Sequence, residues 1–223
     1  MNKAICSILL ALSFACSAGE LPEPSKTTNI LSGTVGYTTD YIFRGKSQTQ
    51  GGSAIQGSIN LDFESGIYLN AWGSEVDYAT NDSSYEIDYT LGYSLPLFTD
   101  KVILDLGTTI YTYDGDNVSL SDDVKEAYLG LRIGALSAKV YQEYGSDASS
   151  YKFYEAALGI SQFIPMPFGI DFEAFASYED NAVGKNVNNF GARASSYITE
   201  NLYASVEYNE ENDDFAAGLF VDF

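Results

Sequence analysis

Apolar and polar side chains alternate with a period of two along almost the whole chain from residue 31 onward. That period sends successive side chains to opposite faces of an extended strand. Leu31, Gly33, Val35, Tyr37, Thr39, Tyr41 and Phe43 share one face, and Ser32, Thr34, Gly36, Thr38 and Asp40 the other. The clearest case sets Tyr85, Ile87, Tyr89, Leu91, Tyr93 and Leu95 against Ser84, Glu86, Asp88, Thr90, Gly92 and Ser94. The same reading predicts twelve strands, near 31–43, 53–63, 67–76, 84–95, 102–113, 124–134, 137–144, 151–163, 169–178, 189–198, 202–209 and 214–223. No stretch sustains helical spacing.

The connections alternate in length. Short ones fall at 64–66, 96–101, 135–136, 164–168 and 199–201; longer polar ones fall at 44–52, 77–83, 114–123, 145–150 and 179–188, with a shorter acidic one at 210–213. An even strand number with brief turns at one end and long loops at the other is the pattern of a transmembrane barrel. The expected fold is therefore all-β, a closed antiparallel transmembrane β-barrel over 31–223 with short periplasmic turns and longer external loops. Alternation alone does not say which face is inside. A soluble barrel buries its apolar face, whereas a membrane barrel points it at lipid. Two features favour lipid. Twelve strands enclose more space than side chains comfortably fill. Aromatics also gather near strand ends, at Tyr41, Phe43, Phe63, Phe98, Tyr111, Tyr113, Phe163, Phe168, Tyr178, Tyr197 and Tyr208, where interfacial girdles are expected.

Residues 1–18 read differently: Lys3, an apolar run over 4–15, then small residues. This is the layout of a secretory signal peptide. A lipoprotein signal built on Cys16 fits less well, because Ser13 and Phe14 stand where it has Leu and a small residue. Residues 19–30, with Pro22 and Pro24, read as a flexible periplasmic leader. Both cysteines, Cys6 and Cys16, fall within the peptide, so the exported chain carries no thiol and is not a disulfide-stapled domain.

Composition narrows the chemistry. The 223 residues hold 31 acidic and 11 basic side chains, a net charge of -20, and no histidine. An acidic excess of this size lacks the basic footprint that nucleic-acid binding needs. Without histidine there is no Ser–His or Cys–His catalytic pair and no imidazole-ligated metal, and nothing singles out a carboxylate pair for glycoside hydrolysis. The expectation is a non-enzyme with no cofactor and no bound metal.

Two segments carry resemblances. The chain ends Gly218-Leu219-Phe220-Val221-Asp222-Phe223, and the alternating close through Gly218, Val221 and Phe223 resembles the signal read by the outer-membrane barrel assembly machinery, although Ala216 replaces a usual polar residue. The segment Thr38-Thr39-Asp40-Tyr41-Ile42-Phe43-Arg44-Gly45-Lys46-Ser47-Gln48-Thr49 resembles the opening of the TorF-type porin family, a bacterial family long catalogued only as of unknown function. Ala54-Ile55-Gln56-Gly57-Ser58, the run from Gly66 to Asp77, and Glu86-Ile87-Asp88-Tyr89 continue it; the likeness fades after residue 95. The resemblance implies an outer-membrane barrel with pore activity and names no substrate.

On this strand assignment the inward acids are Asp40, Asp62, Glu86, Asp88, Asp105, Glu126, Glu143, Glu155, Asp171, Glu173, Glu207 and Asp222. The inward bases are Arg132, Lys139 and Arg193, with Arg44 at the mouth. Of these, Asp40, Arg44, Asp62, Glu86, Asp88, Asp105, Arg132, Lys139, Glu155, Glu173, Arg193 and Glu207, with the sole tryptophan Trp72, are the candidate pore lining. Opposed charges on one sheet face attract, and the strand pairing expected here sets Asp105 opposite Arg132 and Glu173 near Arg193. The excess of acids predicts a weak cation preference in a watery lumen. The external acids Asp114, Asp116, Asp122, Asp123, Glu210, Glu211, Asp213 and Asp214 read as solvated loop charges rather than a divalent-ion site. The expected activity is passive diffusion of small solutes or ions across the outer membrane of a Gram-negative cell. Its partners are lipid, lipopolysaccharide and the assembly machinery; the sequence carries no signal for an oligomeric state. The alternatives are a closed structural or adhesive barrel, and a soluble periplasmic β-barrel holding an apolar ligand.

Overall fold

The computed structural model describes residues 31–78, 84–114, 124–145, 151–180 and 186–223. The expected signal peptide (1–18) and leader (19–30) lie outside these residues, as do Asp116, Asp122 and Asp123. The chain opens with β1 (Leu31–Thr38), followed by a small hairpin of β2 (Ile42–Phe43) and β3 (Lys46–Ser47). Then come β4 (Ala54–Asp62), β5 (Ile67–Val76), β6 (Ser84–Pro96), β7 (Val102–Asp114), β8 (Val124–Ile133) and β9 (Leu136–Glu143). The last five are β10 (Lys152–Gly159), β11 (Asp171–Asp180), β12 (Val187–Tyr197), β13 (Leu202–Asn209) and β14 (Asp214–Asp222). All but β2 and β3 form one closed antiparallel barrel of twelve strands. Each barrel strand pairs with its neighbour in sequence, and β1 closes the ring on β14 with Val35 opposite Val221.

The apolar face is the outer one. Leu31, Val35, Ile55, Ile59, Leu91, Leu129, Phe190 and Leu219 are exposed, while Thr34, Gln56, Ser58, Glu86, Asp88, Asp105 and Glu155 on the opposite face are buried. A soluble barrel would have to hide these leucines and isoleucines in its core. Here the hydroxyls, amides and charges are inside, which is the arrangement that lipid rather than water stabilises. An interior built for an apolar ligand is not what these side chains form.

Several details differ from the expectation. The first strand leaves the barrel after Thr38 rather than continuing to 43. The Asp40 carboxylate accepts from Ser47 Oγ at 2.6 Å and Thr49 Oγ1 at 2.8 Å. These local bonds turn the backbone away from the ladder, as Asp, Ser and Thr side chains readily do. Tyr41 and Phe43 thereby move off the outer face and pack inside, Tyr41 against Trp72 with ring centroids 5.1 Å apart. Tyr111, Tyr113 and Tyr197, also expected in the girdle, face inward because each shares strand parity with an inward charge, Asp105 or Arg193. Phe63, Phe98, Phe163, Phe168 and Tyr208 are exposed, and Tyr178 packs beside the outward Tyr154, the two rings tilted by 35°. β10 stops at Gly159 instead of 163, where Ile160–Gln162 tighten into a 3-10 turn.

Inward glycines sit beneath inward aromatic rings. A Cβ on Gly92 would lie 2.1 Å from Tyr68 Cζ, and one on Gly218 would lie 2.3 Å from Phe220 Cε2. The missing side chain lets each ring lie flat on the wall instead of projecting across the lumen. Gly218, expected as part of the terminal assembly signal, therefore also has a packing reason to be glycine.

Candidate functional site: the barrel interior

The hairpin 39–53 does not extend outward as an external loop. It folds into the barrel, burying Tyr41, Ile42, Arg44 and Thr49. Its turn places Arg44 at φ 53° and Gly45 at φ 79°, both left-handed, as a two-residue I′ connection requires. Glycine meets that demand without strain; arginine does not. The geometry has a use: Arg44 sits at the tip, aimed at the far wall. Its Nη1 and Nη2 donate to Glu126 Oε1 and Oε2 at 2.8 and 2.7 Å, a fork-to-fork pair with β8. Phe43, Tyr141, Tyr151 and Phe153 surround the guanidinium, with ring centroids 4.5–5.6 Å away. Burial alone would lower the pKa of Arg44, but Glu126, with Tyr111 and Tyr151, holds it well above its ordinary value.

The hairpin is fixed at other points. Lys46 Nζ donates to Glu179 Oε2 on β11 at 2.6 Å, Asn212 Nδ2 donates to the Gly45 carbonyl at 2.7 Å, and the Asp77 amide donates to the Gln48 carbonyl at 2.8 Å. A segment thus crosses from the β1 wall to ion pairs on β8 and β11 and narrows the bore.

Two further ion clusters line the wall. Arg193 on β12 faces Glu155 at 3.3 Å, Glu173 at 3.0 Å and Glu207 at 3.1 Å, one guanidinium held by acids from three other strands. On β9, Lys139, opposite Glu155 in register on the neighbouring strand, pairs with Asp105 at 3.1 Å. Tyr68 donates to Asp105 Oδ1 at 2.8 Å, and the Tyr68 and Tyr128 hydroxyls bond each other.

The inward candidates fall into distinct places. Arg193, Glu155, Glu173 and Glu207 come together, as do Lys139 and Asp105. Arg44 is buried against Glu126, close to the long-loop end of β8, because the hairpin folds inward and carries it there. Asp40 braces the hairpin, and Trp72 packs on Tyr41. Glu86 and Asp88 stand side by side on β6, deeply buried and opposite Tyr113 and Tyr111. Asp62 lies half-buried opposite Tyr68. Arg132 does not meet Asp105: it stands opposite Ile103, and Asp105 stands opposite Gly130. The two-residue offset keeps every side chain on its expected face, so the alternation could not reveal it. Tyr68, Tyr128, Tyr141 and Phe153 belong to the interior beside the charged candidates. Their parity with Trp72, Glu126, Lys139 and Glu155 is the sequence signal for this placement.

The chain matches, over residues 23–215, the model of a bacterial family described as a protein of unknown function (Gcw_chp). It belongs to that family. The matched span includes the whole hairpin and ends before Gly218, Val221 and Phe223. The match does not supply the TorF designation that the hairpin motif resembles. No curated protein sequence matches the chain significantly. Among solved structures, the KdgM porin aligns with TM-score 0.58 and 12% identity, covering 86% of this chain and 98% of that one. The KdgM porin in complex with disordered oligogalacturonate gives TM-score 0.57 and 10% identity, covering 87% and 98%. Outer membrane phospholipase A from Escherichia coli gives TM-score 0.46 and 13% identity, covering 86% and 91%. At such identities the likeness to the KdgM porin is one of fold.

Proposed function

We propose that this member of the Gcw_chp family is a narrow outer-membrane channel that passes ions and small polar solutes by diffusion, with the inward hairpin setting its bore. One observation carries the reading: a closed barrel with an apolar exterior and a polar interior, crossed by a hairpin pinned to the opposite wall through Arg44 and Glu126. A barrel serving only as a scaffold has no need of a charged crosspiece inside it. The KdgM-like fold and the TorF-like motif point the same way. The chain reaches its membrane through a cleaved signal peptide and the barrel assembly machinery.

Weak cation preference follows from the inward acids, which outnumber the inward bases. It is weak because Arg44, Lys139 and Arg193 already neutralise several of them. A second reading, a closed structural barrel, is favoured by one feature: Glu86, Asp88, Asp105 and Glu126 are at most 2% exposed, so that part of the wall is filled. Reconstitution in planar bilayers decides between them. Discrete unitary currents, with a reversal potential in a KCl gradient slightly toward potassium, are expected. Correct insertion without current above leak supports the closed barrel, and anion selectivity refutes the cation preference.

A further inference from the structure

A recess lies between the hairpin and the wall formed by β1, β4, β5, β13 and β14. It is partly open and holds about 50 Å³, room for a few waters. Its lining has a definite chemistry. Trp72, Tyr203 and Phe220 contribute aromatic rings, the last two stacked 5.3 Å apart at an interplanar angle of 18°. Gln56 and Ser58 contribute uncharged polar groups, and Asp40 and Glu207 contribute carboxylates. Among the described residues that line it there is no lysine and no arginine.

We infer that this recess is a binding subsite for neutral polyhydroxylated solutes, of sugar or polyol chemistry, on the path through the channel. The inference rests on the channel reading above and names its solute class. Charge argues first. An anion would meet two carboxylates and no basic side chain. A cation would find both carboxylates already supplied with donors: Asp40 by Ser47 and Thr49, and Glu207 by Arg193 at 3.1 Å and Asn209 at 2.7 Å.

Hydrogen-bonding capacity argues second. Ser58 Oγ and Trp72 Nε1 are buried in this lining with no hydrogen-bond partner. A buried polar group left unpaired costs about 1–3 kcal/mol and calls for a partner. The indole N–H can only donate, so its partner must offer an acceptor, which an ammonium cannot. A hydroxyl both donates and accepts and serves either group, and the C–H faces of a polyol can lie on the rings. The resting volume limits the fit to one hydroxylated edge at a time. A whole sugar ring enters only as the hairpin, which supplies Asp40, Tyr41 and Ile42 to the lining, gives way.

The test exploits the fact that Trp72 is the only tryptophan in the chain, so its emission reports on this recess. The refolded barrel is titrated with glycerol and with glucose, and separately with galacturonate and tetramethylammonium. Saturable emission changes with the two neutral solutes only are expected. Ser58→Ala should weaken them roughly threefold to tenfold, the worth of one hydrogen bond. Gln56→Ala provides a second variant should Ser58→Ala fail to fold, and Ser94→Ala, a buried serine outside the recess, should change nothing. No saturable response to glucose or glycerol means the recess holds water only, and overturns the inference; so does an equal response to tetramethylammonium or galacturonate. Conductance of the same preparation separates the two readings. A barrel that conducts without binding overturns the subsite alone, whereas one that binds without conducting supports the subsite as a recess and overturns the channel.

Discussion

Replacing Glu126 with Gln removes one charge from the pair that pins the hairpin. Arg44 would then keep one amide oxygen and the Tyr151 hydroxyl at 3.3 Å as acceptors, and would lose the opposing charge and the second arm of the fork. Removing one member of a buried ion pair costs about 3–5 kcal/mol, because the other charge stays desolvated. The surrounding rings face the guanidinium before and after the change and continue to solvate it, which keeps the cost toward the lower end of that range. A net loss of roughly 3 kcal/mol moves the balance between tucked and released hairpin by about 100-fold, at 1.4 kcal/mol per tenfold. Release lets the guanidinium reach water, so the penalty is relieved by movement rather than by unfolding of the barrel. Single-channel recording of E126Q should therefore show a larger unitary conductance or added open levels. A thiol introduced as Gln48→Cys, in a chain whose own cysteines lie only at positions 6 and 16, should label faster in the E126Q background. The double variant Arg44→Gln with Glu126→Gln leaves no orphaned charge and should resemble the native barrel more than E126Q does. If E126Q folds, inserts, and keeps native conductance and native labelling, the pair does not hold the hairpin and the reasoning fails.

Three further outcomes follow from the same interior and exterior. Arg193→Ala strands Glu155, Glu173 and Glu207 together and should cost about 3–5 kcal/mol in urea unfolding; Arg193→Lys, charged but without the planar fork, should fall between the two. Gly92→Ala places a Cβ against Tyr68 and drives its hydroxyl off Asp105, an overpacking loss of about 1–3 kcal/mol, measurable by the same unfolding, whereas Gly51→Ala meets no atom within 4 Å and should suffer only from its φ of 77°. Leu129→Arg, on the outer face of β8, should cost about 2–4 kcal/mol in lipid if that face meets hydrocarbon; no loss of stability in bilayers would contradict a membrane-facing exterior.

Strand number, strand faces and the position of most turns were legible in the sequence because each depends on neighbours two residues apart. Tyr85 through Leu95 announces its own two faces whatever it pairs with, and parity alone puts Glu86 and Asp88 together on the face opposite the tyrosines and leucines. Which partner a charge meets is another matter. Asp105 finds Lys139 two strands away rather than Arg132, since an even shift of register leaves every alternation intact and only turn geometry and closure of the ring choose among such shifts. The hairpin is the larger lesson. Its motif, from Asp40 to Thr49, reads as a strand end and an external loop, because nothing local says that Arg44 will meet Glu126, a residue 82 positions along the chain. The sequence by itself determined an apolar-sided, polar-sided barrel wall of twelve strands. Only the closed tertiary structure decided that the apolar side faces out and that a crosspiece spans the interior, because both depend on burial and charge pairing between strands that meet nowhere but across the finished ring.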